Sequence, residues 1–334
     1  MTTSREVRLV RRPSGMPDAS CFDVVTVDVS APGAGEVQVK NLFMSVDPYM
    51  RGRMNDTKSY IPPFALDQVL QGGAVGEVVV SNSDAFAVGD IVESFNGWRE
   101  VFNASPKALR RLDLKGLSPQ TFLGAAGMPG LTAWVGLMRI AALKAGDVVF
   151  VSGAAGAVGS MVCQIAKLKG HTVIASAGGA DKAAFLRDEL HVDVVIDYKA
   201  EPDLTAALKR AAPKGIDVYF DNVGGTHLEA ALSCANTFAR FALCGMIANY
   251  NATTAVAGPA NIANVVTKSL RLEGFIVGNH NDLRDEFETA LGKWHAQGQL
   301  VAKDTVVDGI DRAAEAFLGL FTGNNTGKML VRLN

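Results

Sequence analysis

Histidine is absent from the first half of this 334-residue chain: His171, His191, His227, His280 and His295 all lie beyond residue 170. Cysteine is almost as scarce there, since Cys21 is the only thiol before Cys163. A zinc site needs three or four converging Cys, His or carboxylate ligands, and the N-terminal half offers no soft set, so no metal is expected. Cys21, Cys163, Cys234 and Cys244 are far apart and form no C-x-x-C pair, the pattern of reduced thiols in a cytoplasmic protein. No run of eighteen apolar residues occurs, which excludes a membrane-spanning helix. The opening Met1-Thr-Thr-Ser-Arg-Glu6 lacks the apolar stretch of a signal peptide. An excess of one charge is also missing: 32 Lys and Arg face 34 Asp and Glu, a net charge of -2. Arg8, Arg11 and Arg12 form the densest basic group, and a solvated strand end accounts for them. Nucleic acid is therefore not an expected partner.

What is present is apolar and long. Hydrophobic residues make up 48% and charged ones 20%, enough for a sizeable core and against disorder. The length fits two domains. Up to about residue 120 the chain reads as β-rich, with strand patterns at Glu36–Lys40, Gly76–Val80, Ile91–Phe95 and Trp98–Asn103. Pro32-Gly33, Pro62-Pro63 and Gly72-Gly73 punctuate them, which suggests a compact barrel-like unit. After Pro119 the rhythm changes. Strand patterns at Val148–Val151, Thr172–Ala175, Val192–Ile196, Asp217–Phe220, Arg240–Leu243 and Leu272–Val277 alternate with helical ones. The helical patterns are Leu131–Leu143, Met161–Lys169, Lys182–Glu189, Leu204–Arg210, His227–Leu232 and Ile262–Ser269. Six strands separated by helices imply a doubly wound parallel sheet. From about Lys303 the chain returns to strand, helix (Arg312–Leu320), turn and strand (Lys328–Leu333). The expected division is residues 1–121 with 304–334 around an inserted domain, 122–303, with a cleft between the two.

The stretch richest in meaning is Val148-Val-Phe-Val-Ser-Gly-Ala-Ala-Gly-Ala-Val-Gly-Ser160. An apolar strand breaks into a glycine-rich turn and opens a helix, whose free N–H groups and positive dipole end suit a phosphate. By spacing, Ala154, Gly156 and Gly159 occupy the G-x-G-x-x-G positions of a dinucleotide fold, with Ala in place of the first glycine. The second strand pattern runs out through Ser176-Ala-Gly-Gly179 without a carboxylate, and Lys182 follows. An acidic residue there selects NAD, whereas Ser176 and Lys182 suit the 2'-phosphate of NADP(H). Asp181, beside Lys182, argues the other way but stands several residues past the strand end.

Seven segments in order resemble those of the medium-chain dehydrogenase/reductase superfamily. Within it the chain is similar to the zinc-independent prostaglandin reductase, leukotriene hydroxydehydrogenase and alkenal double-bond reductase group, which includes bacterial curcumin reductases. The segments are Val46-Asp-Pro-Tyr-Met-Arg-Gly-Arg-Met54, Gly127-Met-Pro-Gly-Leu-Thr-Ala-Trp134, Ala155-Gly-Ala-Val-Gly-Ser160, Tyr219-Phe-Asp-Asn-Val-Gly-Gly225, Gly245-Met-Ile-Ala-Asn-Tyr-Asn251, Glu273-Gly-Phe-Ile-Val277 and Asn325-Thr-Gly-Lys328. The resemblance covers nearly the whole chain. It implies an α/β fold in which a GroES-like β-barrel domain accompanies a doubly wound (Rossmann) cofactor domain. Where zinc members carry a Gly-His-Glu signature, this chain has Gln71-Gly-Gly-Ala-Val-Gly-Glu77.

The resemblance also implies the chemistry: NADPH-dependent reduction of the C=C bond of α,β-unsaturated ketones and aldehydes, with hydride delivered to the β-carbon. The protein then has to orient the alkene, donate hydrogen bonds to the enolate oxygen and exclude water. Tyrosine suits this role as a donor that stays protonated near neutral pH. Of the five tyrosines, Tyr219 falls in a strand and reads as core, Tyr60 sits in a Pro-rich loop, and Tyr198 maps beside Lys182 at the adenosine phosphate. Tyr49 and Tyr250 map onto the substrate pocket and are the expected catalytic pair. A structural hydroxyl bonded to cofactor ribose is the other reading of Tyr250, and Ala248 stands where the family usually has Ser.

The remaining cofactor positions implied are Met128, Thr132, Gly156, Ala157, Val158, Gly159, Asn222, Cys244, Gly245, Ile247, Phe275, Ile276, Val277, Asn325 and Gly327. Met128 could equally serve ordinary helix packing, and Asn222 or Asn325 could satisfy backbone groups of their turns. Pairing of the last parallel strand with its symmetry mate is expected to form a homodimer. Two other readings remain open: a quinone oxidoreductase of the same superfamily, and a non-catalytic NADPH-binding protein.

Overall fold

The computed structural model describes residues 2–333, so the first and last residues of the expected division, 1 and 334, lie outside it. Two compact units are present, one built from residues up to Leu123 and from Asp304 onward, the other from Gly124–Lys303. The fold is mixed α/β.

The first unit is mostly antiparallel. Its main sheet runs Asp304–Asp308, Lys328–Arg332, Val37–Ser45, Ala74–Ser81, Ile91–Ser94 and Leu109–Arg111, with Val101–Ala104 also paired to Val37–Ser45. The C-terminal strand enters this sheet by pairing Leu330 with Ser45 and Arg332 with Phe43. Strands Thr2–Leu9 and Phe22–Val29 form a separate antiparallel pair that the sequence pattern did not disclose. The strand expected from Trp98 begins only at Val101. Trp98 itself adopts a left-handed φ of 64° and is buried against Phe22 and Phe317. A bulky residue in that conformation cannot continue a strand.

Lys328 and Asp47 form a buried ion pair in this unit at 2.9 Å. The Lys328 ammonium also donates to the carbonyl oxygens of Val46 (2.8 Å) and Met329 (3.1 Å), and Ser45 Oγ donates to the other oxygen of Asp47. Thus the Asn325–Lys328 turn and the Val46–Met54 segment are tied by one buried charge pair whose members are 281 residues apart in sequence.

The second unit carries the parallel sheet. Its strands are Val148–Val151, Thr172–Ala177, Val194–Asp197, Ile216–Asp221, Ala235–Leu243 and Arg271–Gly274. Numbered first to sixth along the chain, they lie in the order 3-2-1-4-5-6, the arrangement that places a ligand at the switch between the first and fourth strands. The helix Ala157–Leu168 is buried on every side from Gly159 to Ala166. Three expectations need correction. The sixth strand ends at Gly274, so Phe275 and Ile276 lie beyond it and Val277 opens a 3-10 segment to Leu283. Helix at Ile262–Ser269 shrinks to Asn264–Thr267. The sequence pattern does not disclose the 13-residue helix Arg284–Ala296, which buries Phe287, Leu291 and Trp294 at helical spacing; Phe287 and Trp294 pack against Trp134.

Removing one member of a buried ion pair strands the other charge. Lys328→Met is therefore expected to destabilise the protein by about 3–5 kcal/mol, read from the urea unfolding midpoint. A loss below about 1 kcal/mol would show that the pair is dispensable.

Candidate active site and cofactor site

The glycine-rich turn differs from its reading by spacing in one respect. The residue that turns the chain is Gly153, with φ +58°, one position before Ala154. Gly159 is required for packing, because a Cβ there would stand 2.4 Å from the Gly153 carbonyl oxygen and 2.7 Å from Ala154 Cα. Gly156 meets only the Gly153 oxygen, at 3.3 Å. It is the N-cap residue of the Ala157–Leu168 helix and caps it with no side chain. Ala157, Val158 and Gly159 are thus the first helical residues of a terminus whose donors and dipole favour an anion.

Asp221 joins this turn to the rest of the sheet edge. Its Oδ1 accepts from Tyr219 Oη (2.7 Å), Ser152 Oγ (3.1 Å), and the backbone N–H groups of Val223 (2.9 Å) and Gly224 (2.8 Å). Its main-chain oxygen accepts from Cys244 N (2.9 Å) and Gly245 N (3.0 Å). Asn222 is held by its own N donating to Ser152 Oγ (3.0 Å) and its Nδ2 donating to Ser152 O (2.7 Å). Ser152, Gly153 and Asp221 are site-building residues that the glycine spacing alone could not single out. Asp221 was visible only as part of the Tyr219–Gly225 segment. Tyr219 is fully buried, as its strand position suggested.

Beyond Gly245 the chain makes a 3-10 turn, Ile247–Asn249, which ends on Tyr250. The Tyr250 hydroxyl accepts a hydrogen bond from Met246 N at 3.3 Å. Burial raises its pKa above the ordinary phenol value, more than the Met246 bond lowers it. The phenol therefore stays protonated, and with a lone pair engaged its own proton remains to donate. The Cys244 thiol, pushed up to about 12 by burial and then by Asp221, stays protonated too.

Met128 opens the helix Met128–Val135 and is exposed, while Thr132 is buried with its Oγ1 donating to Met128 O at 2.7 Å. Phe275 stacks edge-on against Phe220, ring centroids 6.2 Å apart, and Ile276 is exposed. In the first unit, Asn325 Nδ2 donates to Gly327 O at 2.9 Å, and Gly327 has φ +70°. Tyr49 precedes the short helix Met50–Arg53. Burial, and then the Asp47 charge, hold its phenol well above the usual range.

At the end of the second strand, Gly179 (φ +102°) turns the chain into Ala180–Ala184. Asp197 Oδ1 accepts from Gly179 N (2.9 Å) and Lys199 N (3.0 Å), fixing two loops to each other. A Cβ on Gly178 would lie 2.9 Å from both Lys199 Cε and Tyr198 Oη. Burial, and then the charge of Lys199, lower the pKa of Lys182. Lys182, Tyr198 and Lys199 are therefore gathered in one place, and Lys199 had no motif to announce it. Ser176 turns inward instead: it is fully buried and shares a 2.9 Å hydrogen bond with His227 Nε2. Burial pushes that histidine down to about 4, so it is neutral, and its ring packs edge-on against Tyr198 at 5.1 Å.

A dinucleotide with a 2'-phosphate fits these features. The uncapped helix start and the side-chain-free face at Gly156 suit a pyrophosphate, and the two lysines with Tyr198 suit a third phosphate.

The comparisons agree. Residues 5–112 match a family model described as the N-terminal domain of oxidoreductase, and residues 157–294 match one described as zinc-binding dehydrogenase. Among the described residues, no three of His, Cys, Asp and Glu are grouped to hold a metal, so the second model's zinc finds no fitting ligand set. The chain is 39% identical to the NADPH-dependent curcumin reductase of Escherichia coli (strain K12), over 97% of this chain and 95% of that one. It is 37% identical to the NADP(+)-dependent 2-alkenal reductase of Nicotiana tabacum, over 99% and 98%. The crystal structure of CurA from Vibrio vulnificus in complex with NADPH matches with a TM-score of 0.94 and 40% identity, over 99% of each chain.

Lys182→Ala is expected to weaken NADPH binding by about 1–3 kcal/mol, the scale of a lost charge-assisted bond, with NADH nearly unaffected. Lys199→Ala should act in the same direction. Calorimetric titration checks both, and equal losses for NADPH and NADH would mean that these lysines do not read the 2'-phosphate.

Proposed function

The chain belongs to the medium-chain dehydrogenase/reductase family of NADP-dependent prostaglandin, alkenal and curcumin reductases, and we propose that it reduces the C=C bond of α,β-unsaturated ketones and aldehydes. The observation that carries this reading is the Tyr250 hydroxyl, half-buried, protonated and already accepting from Met246 N. Bound NADPH supplies the hydride. The chain's own residues bind and orient. The helix start at Ala157–Gly159 holds the pyrophosphate, Lys182, Lys199 and Tyr198 hold the 2'-phosphate, and Met128, Thr132, Asn222 and Phe275–Val277 flank the nicotinamide end. In this reading Asn325 and Gly327 complete the cofactor contacts.

Tyr250 donates to the substrate carbonyl oxygen as negative charge develops there, which a neutral phenol in a water-poor site does well. Tyr49, its pKa also raised, is the second donor. No metal enters this scheme.

We place the enzyme in the cytoplasm, in keeping with four free cysteines, and as a homodimer. Among the described residues the sixth strand is paired on one side only, and Phe238 of the fifth strand and Val266 of the preceding helix are exposed, a liability that a symmetry mate would cover.

Tyr250→Phe is expected to lower turnover about ten- to a hundredfold, toward the low end of a lost oxyanion donor, with little effect on NADPH affinity. Deuterated NADPH should place its label at the β-carbon of a saturated ketone, and turnover should survive chelation. Label on the carbinol carbon of an allylic alcohol would make the protein a carbonyl reductase. Light scattering at micromolar concentration should give the mass of a dimer; a monomer would remove the strand-pairing argument.

A further inference from the structure

We propose that the cleft lined by Arg53 in the first unit binds a carboxylate carried at the far end of the substrate's apolar chain. This rests on the reading that Tyr49 belongs to the substrate pocket.

Arg53 ends the short helix that Tyr49 precedes, and residues four apart lie on one helical face. The residue is buried, with 4% relative exposure. A buried guanidinium ordinarily faces a carboxylate, because neutral acceptors offset only part of the cost of burying a charge. The acceptors here are all neutral: Pro62 O at 2.9 Å, Gln71 Oε1 at 3.1 Å and Gln71 O at 3.4 Å. They engage three of the five guanidinium N–H groups. The planar cation lies 4.0 Å from the centroid of the Phe64 ring and 5.8 Å from that of Phe95.

This group borders an open cleft of about 340 Å³ whose other walls include Ile61, Pro63, Val69 and Gln68, and no acidic residue. At roughly 30 Å³ for each small heavy group, the space takes on the order of ten non-hydrogen atoms. The apolar walls suit a methylene chain, and a buried fork of N–H donors suits a carboxylate, where charge-assisted bonds are strongest. Burial depresses the Arg53 pKa, as expected for a cation short of an anionic partner. The alternative is that Arg53 only clips the Pro62 loop to Gln71; it predicts no discrimination between an acid and its ester.

Two measurements decide. The first is kcat/KM for a linear enone bearing a terminal carboxylate, divided by that for its methyl ester. A ratio of about ten or more is expected for the native enzyme, falling to near one in Arg53→Met and lying between in Arg53→Lys. A native ratio near one, or an unchanged ratio in Arg53→Met, overturns the proposal. The second needs no variant and no turnover: calorimetric binding of decanoate and of methyl decanoate to the native protein. Decanoate should bind at least about tenfold more tightly, and equal binding overturns the site. Should the native enzyme reduce neither enone while still preferring decanoate, the double-bond reading fails and the carboxylate site stands.

Discussion

The cofactor half of the molecule depends on one buried carboxylate. Asp221 Oδ1 collects four donors, from Tyr219, Ser152, Val223 and Gly224, while its backbone oxygen collects Cys244 and Gly245. The ends of the first, fourth and fifth strands and the turn after the fourth thus converge on one residue. Bonds to a charged group are worth roughly 1.5–3 kcal/mol each, but burying the charge costs several, and Oδ2 finds no partner. The net pKa is raised, so desolvation outweighs the bonds. What these bonds fix is geometry. They set where Asn222 and the Gly245–Tyr250 segment stand, and so where the Tyr250 hydroxyl stands.

The sequence made legible what local chemistry determines. The strand–turn–helix at Val148–Leu168 follows from an apolar run meeting glycines, and the alternation behind it forecast the parallel sheet. Errors arose where tertiary packing decides. Spacing selected Ala154, but the backbone reversal belongs to Gly153, since φ is not a property of spacing. The place of Ser176 at the strand end suggests a 2'-phosphate contact, yet its buried hydroxyl bonds His227. The helix Arg284–Ala296 had its apolar stripe in view at Phe287, Leu291 and Trp294, but charged residues interrupt the stripe and masked its period. Lys199 could not be found by reading at all, since only the Asp197-pinned turn carries it to Gly178.

Charge placement separates the roles of the two units more clearly than fold does. In the second unit, Lys182 and Lys199 are brought together although like charges repel, and the loops that carry them are fixed by Asp197. In the first, Lys328 has its carboxylate and is a structural tie, whereas Arg53, equally buried, has only amide and carbonyl oxygens. An arrangement that holds like charges close, or a cation among neutral acceptors, is less stable than the same chain with an anion added. By mass action the anion that binds there stabilises the fold as it binds. The paired Lys328 has no such incentive, and the difference between it and Arg53 is the physical distinction between a tie and a site.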